Sequence, residues 1–289
     1  MNHTQESRTR KATGVRTYVD AHVHLHQCFE VQEFLNAAAR NFSLYSAQSL
    51  SERNCRFVLC LTECQGINKF EMMSMQLAKP ALREGQWTYQ RSPDKECIVA
   101  KHANYENIVI IAGRQIVTAE GLEILALGSI EQWNDGQAIS GVIDSIISSG
   151  AIAVLPWGFG KWLGRRGRVV ESLIDEYGGG ALYLGDNSGR PGIMPDPAAF
   201  KMARGKGIRI LPGSDPLPFA SEFDRAGSFG FYVDDVTDRD GVWAGLNAML
   251  QQGAGVLHHY GSLESPLRFV RNKIAMQYIT RVTNRGNAD

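Results

Sequence analysis

Short β-branched or aliphatic runs, each bounded by glycine or polar residues, recur along the chain and alternate with amphipathic segments. That alternation restricts the fold to β/α units around a largely parallel sheet, because each apolar run is strand-sized and each amphipathic segment returns the chain across a sheet face. The runs fall at residues 17–22, 56–61, 108–116, 151–155, 181–185, 208–211 and 255–258, with an extra strand at 122–127 behind the turn Ala119-Glu120-Gly121. Between them, Val31, Phe34, Leu35 and Ala38 form one apolar helical face, and Ile139, Val142, Ile143, Ile146 and Ile147 form a stronger one that stops at Gly150. Asn68 with Glu71 reads as a capping box, Asp196-Pro197 and Ser265-Pro266 each place a cap before a first-turn proline, and Asp240 is placed to cap the segment ending near Gly253. About seven strands with intervening helices suit a closed parallel α/β barrel, in which chemistry gathers at the C-terminal ends of the strands.

At 289 residues, 44% hydrophobic and 21% charged, the chain is long enough for one large domain with a real core, placed at residues 15–289. Residues 1–14 are polar and basic without periodic apolar positions, which predicts a disordered leader. Lysine plus arginine balances aspartate plus glutamate at 30 each, so no long-range field favours nucleic acid or an acidic membrane surface, and any anion selectivity is local. Five cysteines, an odd number with no CxxC knuckle, and the lack of a secretory signal or membrane-length apolar span predict a reducing, cytoplasmic setting.

The first run ends in Asp20-Ala21-His22-Val23-His24. Strand side chains alternate, so His22 and His24 share a face and present two imidazoles to one divalent ion, with Asp20 as an acceptor that would orient a ring. His26 continues the series beyond the strand.

In order, the remaining strand ends present Thr62-Glu63-Cys64, Gly113-Arg114-Gln115, Pro156-Trp157-Gly158, Asp186-Asn187, Gly213-Ser214-Asp215 and His258-His259. This series resembles the PHP (polymerase and histidinol phosphatase) family of metal-dependent phosphoesterases, whose strand ends read DxHxH, TDH, GxE, a histidine before proline, and GSDxH. The resemblance spans most of residues 17 to 260, and it implies a distorted seven-stranded, TIM-like β/α barrel with amidohydrolase-like barrels as relatives. Its first element is intact and Gly213-Ser214-Asp215 keeps most of the last. The departures matter equally: Glu63 and Cys64 replace aspartate and histidine, Gln115 replaces a bridging glutamate, Trp157 stands where a histidine would, and Pro216-Leu217 follows Asp215. Glutamine, proline and leucine supply no charged ligand, so the resemblance implies a single ion on His22, His24 and Asp215, with Glu63 or Cys64 as additions; the mixed nitrogen and oxygen set suits zinc, manganese or iron.

An ion there lowers the pKa of a bound water and polarises a phosphoryl or carbonyl oxygen, with Asp215 or Glu63 to accept the proton. Donors for an anionic small-molecule substrate follow the strand ends: Arg114, Lys161, Arg165, Arg166 and Arg190. The glycine-rich basic stretch at 158–168 offers backbone N–H groups ahead of a helix, and the loop after Gly185 packs Asp186, Asn187 and Arg190 beside an apolar strand. Trp157 and Trp162 are placed to wall the pocket, and one of His258 and His259, taken as His259, faces it. Two function classes follow. One is a metal-dependent hydrolase, of a phosphate ester or of an amidohydrolase-type C–N or C–O bond; the other is a barrel without catalysis that keeps a ligand pocket as a binding or regulatory protein.

Overall fold

The computed structural model describes residues 14–48, 53–80 and 85–286, and residues 1–13 of the expected leader lie outside them. The chain is mixed α/β, with twelve strands in two sheets among the described residues. The larger sheet holds β1 (Val15–Val23), β2 (Asn54–Leu61), β3 (Thr88–Arg91), β4 (Cys97–Lys101), β5 (Ile108–Ile111), β11 (Phe229–Asp234) and β12 (His258–Gly261) in the order β12-β11-β1-β2-β5-β4-β3. The smaller holds β6 (Gly113–Val117), β7 (Glu123–Leu127), β8 (Ile152–Pro156), β9 (Leu182–Asn187) and β10 (Ile210–Gly213) in the order β10-β9-β8-β7-β6.

Apolar side chains sort into three layers because the central strands are buried on both faces. Val19, Val58, Cys60, Val109, Ile111, Leu125, Val154, Leu211 and Phe231 meet between the sheets. Tyr18, Phe57, Leu59, Ile108 and Ile110 cover the outer face of the larger sheet and pack on Phe34, Leu35, Ala38 and Phe42 of α1 (Val31–Ala47). The smaller sheet turns Ile124, Ala153, Leu155, Leu182, Leu184 and Ile210 toward α3 (Ile139–Ser148), α4 (Gly164–Tyr177) and α5 (Ala198–Gly205). Each such aliphatic side chain contributes roughly 1.5–3 kcal/mol by leaving water, which explains why strand runs here read as continuous rather than alternating. Ile147, expected on the core face of α3, is 37% exposed at its margin.

The expected closed parallel barrel is not what forms. The hydrogen-bond ladder divides into two open sheets, and β6–β7 and β7–β8 pair antiparallel. The run 108–116 is two strands, β5 in one sheet and β6 in the other, separated at Ala112. Gly113 allows the crossing: a Cβ there would lie 2.4 Å from the Leu61 carbonyl and 2.7 Å from that of Ala126. Backbone hydrogen bonds join the sheets at their strand ends, where Glu63 N donates to Gly113 O (3.1 Å), Gln115 N to Glu63 O (3.0 Å) and Asp215 N to His22 O (2.8 Å). Strands β3, β4 and β11 were not expected, and β12 is an antiparallel edge strand rather than the last stave of a barrel.

Helix ends also find partners other than the nearest residue. The N-terminus of α2 (Lys69–Ser74) is capped by Glu63 Oε1, which accepts from Phe70 N at 2.9 Å, while Asn68 makes no side-chain cap bond. Asp94, and not Asp240, caps α6 (Val242–Gln251), accepting from Trp243 N at 3.0 Å. Ser265 does cap the final helix, α7 (Pro266–Gly286), with Oγ accepting from Arg268 N at 3.3 Å. No helix among the described residues is long and apolar enough to cross a membrane.

Candidate metal centre

A β-bulge aims the histidines. Val19 and Asp20 pair with Val58 and Leu59, but Val23 pairs with Leu61, so three residues of β1 advance against two of β2. The extra residue reverses the alternation. Val19 and Ala21 face the layer between the sheets, Val23 joins Tyr18 on the outer face, and His22 and His24 turn to the mouth where the sheets meet. Asp20 is thereby separated from both rings. Its Oδ1 accepts from Ser214 N (2.8 Å) and its Oδ2 from Gly227 N (2.8 Å), so it ties β1 to the loop after β10 and to the start of β11. Burial pushes the Asp20 carboxyl up to about 6 against these hydrogen bonds. The expectation that Asp20 orients a ring is replaced by this backbone role.

His22 Nε2 lies 3.1 Å from His24 Nε2 and 3.5 Å from Asp215 Oδ1, and His24 Nε2 lies 3.6 Å from the same oxygen. Three ligand atoms of a tetrahedral shell with bonds of about 2.0–2.1 Å are about 3.3–3.4 Å apart, so this triangle fits one ion of zinc's size. Both rings are buried, and burial followed by repulsion from His22 lowers the His24 pKa to about 3, which keeps that ring neutral. Burial opposes ionisation of Asp215, yet the neighbouring His22 and His24 outweigh it and hold its carboxyl below the ordinary value. Asp215 adopts a left-handed backbone conformation, φ 48°, which aspartate tolerates better than most side chains. Gly213 precedes it because a Cβ there would fall 2.2 Å from His22 N.

Asn187, at the end of β9, fixes the carboxylate. Its Nδ2 donates to Asp215 Oδ2 and to Trp157 O, both at 2.9 Å, an arrangement the reversed amide could not satisfy. Gln115 Oε1 stands 3.2 Å from His22 Nε2, adding an uncharged oxygen beside the triangle, and its amide nitrogen faces Cys64 Sγ at 3.8 Å. Burial raises the Cys64 thiol to about 11, so it stays protonated.

His24 and Asp215 of the cluster floor a cavity of about 340 Å³ also lined by His26, Gln115, Lys161 and Asn187, with the aromatic walls Trp157 and Phe159. Lys161 reaches it across Gly158 and pairs with Glu123. Of the basic stretch, only Gly158, Phe159 and Lys161 touch the cavity, while Arg166 donates to Gly160 O (3.0 Å). Trp162 packs on Phe200 in the outer layer. Other anticipated site residues are elsewhere. Glu63 and Arg114 pair with one another at 3.2 Å outside this cavity, and Arg114 Nη1 also donates to Ile67 O at 2.7 Å. Arg190 is buried against Asp186 (Nε to Oδ1, 3.0 Å; Nη2 to Oδ2, 2.9 Å) and Asp196 (3.1 Å), so its fork is committed within the protein. His259 lies exposed on β12, also outside the cavity. Sequence reasoning missed the cavity's roof, formed by Phe269, Asn272, Lys273 and Met276 of α7, and its glutamates Glu123, Glu222 and Glu264. The Ser265-Pro266 cap marks where α7 begins, but nothing in the sequence places that helix over the cavity.

No protein-family model matches the chain, and no curated protein matches it. Among solved structures it is similar to PsfC from Pseudomonas syringae, with a TM-score of 0.55 and 15% identity over 91% of this chain and 99% of that one. That likeness is one of fold. Weaker similarities are to the novel lesion-specific endonuclease EndoQ from Pyrococcus furiosus (TM-score 0.48, 11% identity, 84% of this chain and 57% of that one) and to a two-domain protein containing a predicted PHP-like metal-dependent phosphoesterase from Bacteroides vulgatus (TM-score 0.41, 13% identity, 86% and 65%).

Proposed function

We propose that this chain is a metal-dependent hydrolase holding one divalent ion, of zinc, manganese or iron, on His22, His24 and Asp215, and that it cleaves a small phosphate ester in the PHP-like mouth where its two sheets meet. The observation that carries the reading is the triangle of three ligand atoms, 3.1, 3.5 and 3.6 Å apart, at the floor of an open cavity. Gln115 Oε1 is placed to complete or flank that set.

A divalent ion bound there supplies a Lewis acid and brings the pKa of a water toward neutrality. The chain supplies the rest. Asn187 holds Asp215 Oδ2 so that Oδ1 stays turned to the imidazoles, and Asp215 serves as the nearest carboxylate to take a proton. His26 Nε2 donates to Pro216 O at 2.8 Å, which leaves Nδ1 as the acceptor of a ring that burial keeps neutral. Lys161, Trp157 and Phe159 bound the space in which the substrate's anion lies and exclude water from part of it.

The test is metal analysis of protein purified without chelator or histidine tag, followed by a panel of phosphate esters, amides and carboxylic esters with added manganese or zinc. Bound ion, turnover of a phosphate ester and its loss in His22→Ala, His24→Ala and Asp215→Ala support the reading. A chain that takes up no transition metal at micromolar concentration overturns it. Uptake without turnover across the panel favours a binding protein on the same scaffold, the reading that the uncharged Gln115 and Cys64 would then explain.

A further inference from the structure

Among the described residues three cations line the cavity, and two are already matched. Lys161 pairs with Glu123. Arg225 faces Glu264 (3.6 Å) and Glu222 (3.9 Å) and donates to Ser188 Oγ at 2.7 Å. Lys273, on α7, differs: among the described residues no carboxylate lies within 4 Å of its ammonium, which instead sits 5.2 Å from the ring centre of Phe159 and 5.5 Å from that of Phe269.

The rings give the ammonium a fixed place but no counterion, and burial lowers its pKa from the ordinary lysine value. The helix that presents it is fastened. Arg268 Nη2 (2.9 Å) and Asn272 Nδ2 (3.3 Å) both donate to Glu222 Oε1, and Arg268 Nε lies 3.5 Å from Glu264 Oε2. These bonds fix the turn of α7 that carries Phe269 and Lys273 over the mouth. Among the described residues, the cavity wall carries Lys161, Arg225 and Lys273 against Glu123, Asp215, Glu222 and Glu264, an excess of one negative charge that a divalent ion reverses.

We propose that Lys273 is the roof half of an oxyanion subsite, closing from α7 on a phosphoryl or carboxylate group of the substrate whose reacting end lies at the His22, His24 and Asp215 floor. The subsite deepens the hydrolase reading and rests on it for its floor. The Phe159 and Phe269 rings then flank the apolar part of the same molecule, which makes the ligand class a small organic anion rather than a bare ion.

The probe is inorganic phosphate, titrated by calorimetry into the 289-residue chain with and without saturating Mn²⁺, while Mn²⁺ affinity is measured separately on each variant. Lys273→Met and Lys273→Gln are expected to weaken phosphate binding by about tenfold or more, the effect of losing one charge-assisted hydrogen bond, and Lys273→Arg to stay within about threefold. Leu267→Ala, exposed on the same helix, is expected to change nothing. Mn²⁺ affinity is expected to be unchanged throughout, which separates a lost anion contact from a displaced helix. Phosphate affinity independent of Lys273, or no phosphate binding by the unaltered chain at millimolar concentration, overturns the subsite. Phosphate binding that depends on Lys273 in a chain that takes up no metal keeps the subsite and removes the hydrolase.

Discussion

Asn187 Nδ2 donates to Asp215 Oδ2 at 2.9 Å, and that bond decides which carboxylate oxygen faces the imidazole pair. Without it Asp215 could rotate toward Lys161 across the cavity. Asn187→Ala is therefore expected to lower Mn²⁺ or Zn²⁺ affinity by about 10- to 100-fold, the usual effect of removing a ligand's own hydrogen-bond partner. Asp215→Ala is expected to lower it further, and calorimetry with competing chelators measures both. Equal affinity in Asn187→Ala and the unaltered chain would contradict the positioning role.

The Glu63–Arg114 pair, with its two side chains 3.2 Å apart and buried, belongs to the frame. Glu63→Ala strands the guanidinium and uncaps α2, and breaking such a pair costs about 3–5 kcal/mol. Thermal unfolding is expected to show a melting point lower by several degrees, with metal affinity within about threefold of the unaltered chain. Lost metal binding with an unchanged melting point would place Glu63 in the site instead.

Phosphate binding is expected to weaken toward alkaline pH earlier than an ordinary lysine would titrate. Burial lowers the Lys273 pKa first, and Lys161 lowers it further, while Asp215 and Glu123 pull it back up. The protonated form holds the anion, so affinity is fully present below the Lys273 pKa and lost as pH rises through it. Lys273→Arg, whose guanidinium keeps its proton, is expected to remove that alkaline limb. A limb that persists unchanged in Lys273→Arg would assign it to another group.

Metal and anion binding are expected to reinforce one another, because the ion changes the sign of the cavity's charge. Chelator-treated protein should bind phosphate at least tenfold more weakly than the Mn²⁺-loaded form, and phosphate should tighten Mn²⁺ by the same factor, as linkage requires. Paired titrations in either order measure the two factors, and independence would show that the ion and the anion do not share a cavity.

Much of the scaffold was legible because burial writes itself into composition. The runs that became β2, β8, β9 and β10, and the core face of α3, follow from uninterrupted aliphatic residues. What the chain's linear pattern hid was where neighbours change. Nothing in Ile108–Ile111 and Gly113–Val117 read separately announces that the first pairs with β2 and the second with β7, since the switch depends on carbonyls of Leu61 and Ala126 crowding Gly113. The bulge in β1 was equally silent. Alternation alone puts Asp20 with His22 and His24, whereas one inserted residue sends the aspartate to Ser214 and Gly227. Charged residues at strand ends were the least decipherable, because Arg114 and Arg190 found acids inside the protein while Lys273, outside every motif, did not.

The Asp20 carboxylate grips backbone 194 and 207 residues further along. On a ribosome, the imidazoles emerge long before Ser214, Asp215 or Gly227 has been synthesised. Asp215 and the Ser214 amide that Asp20 holds therefore arrive together and late, so the triangle of side chains closes only when the loop after β10 has come back to β1.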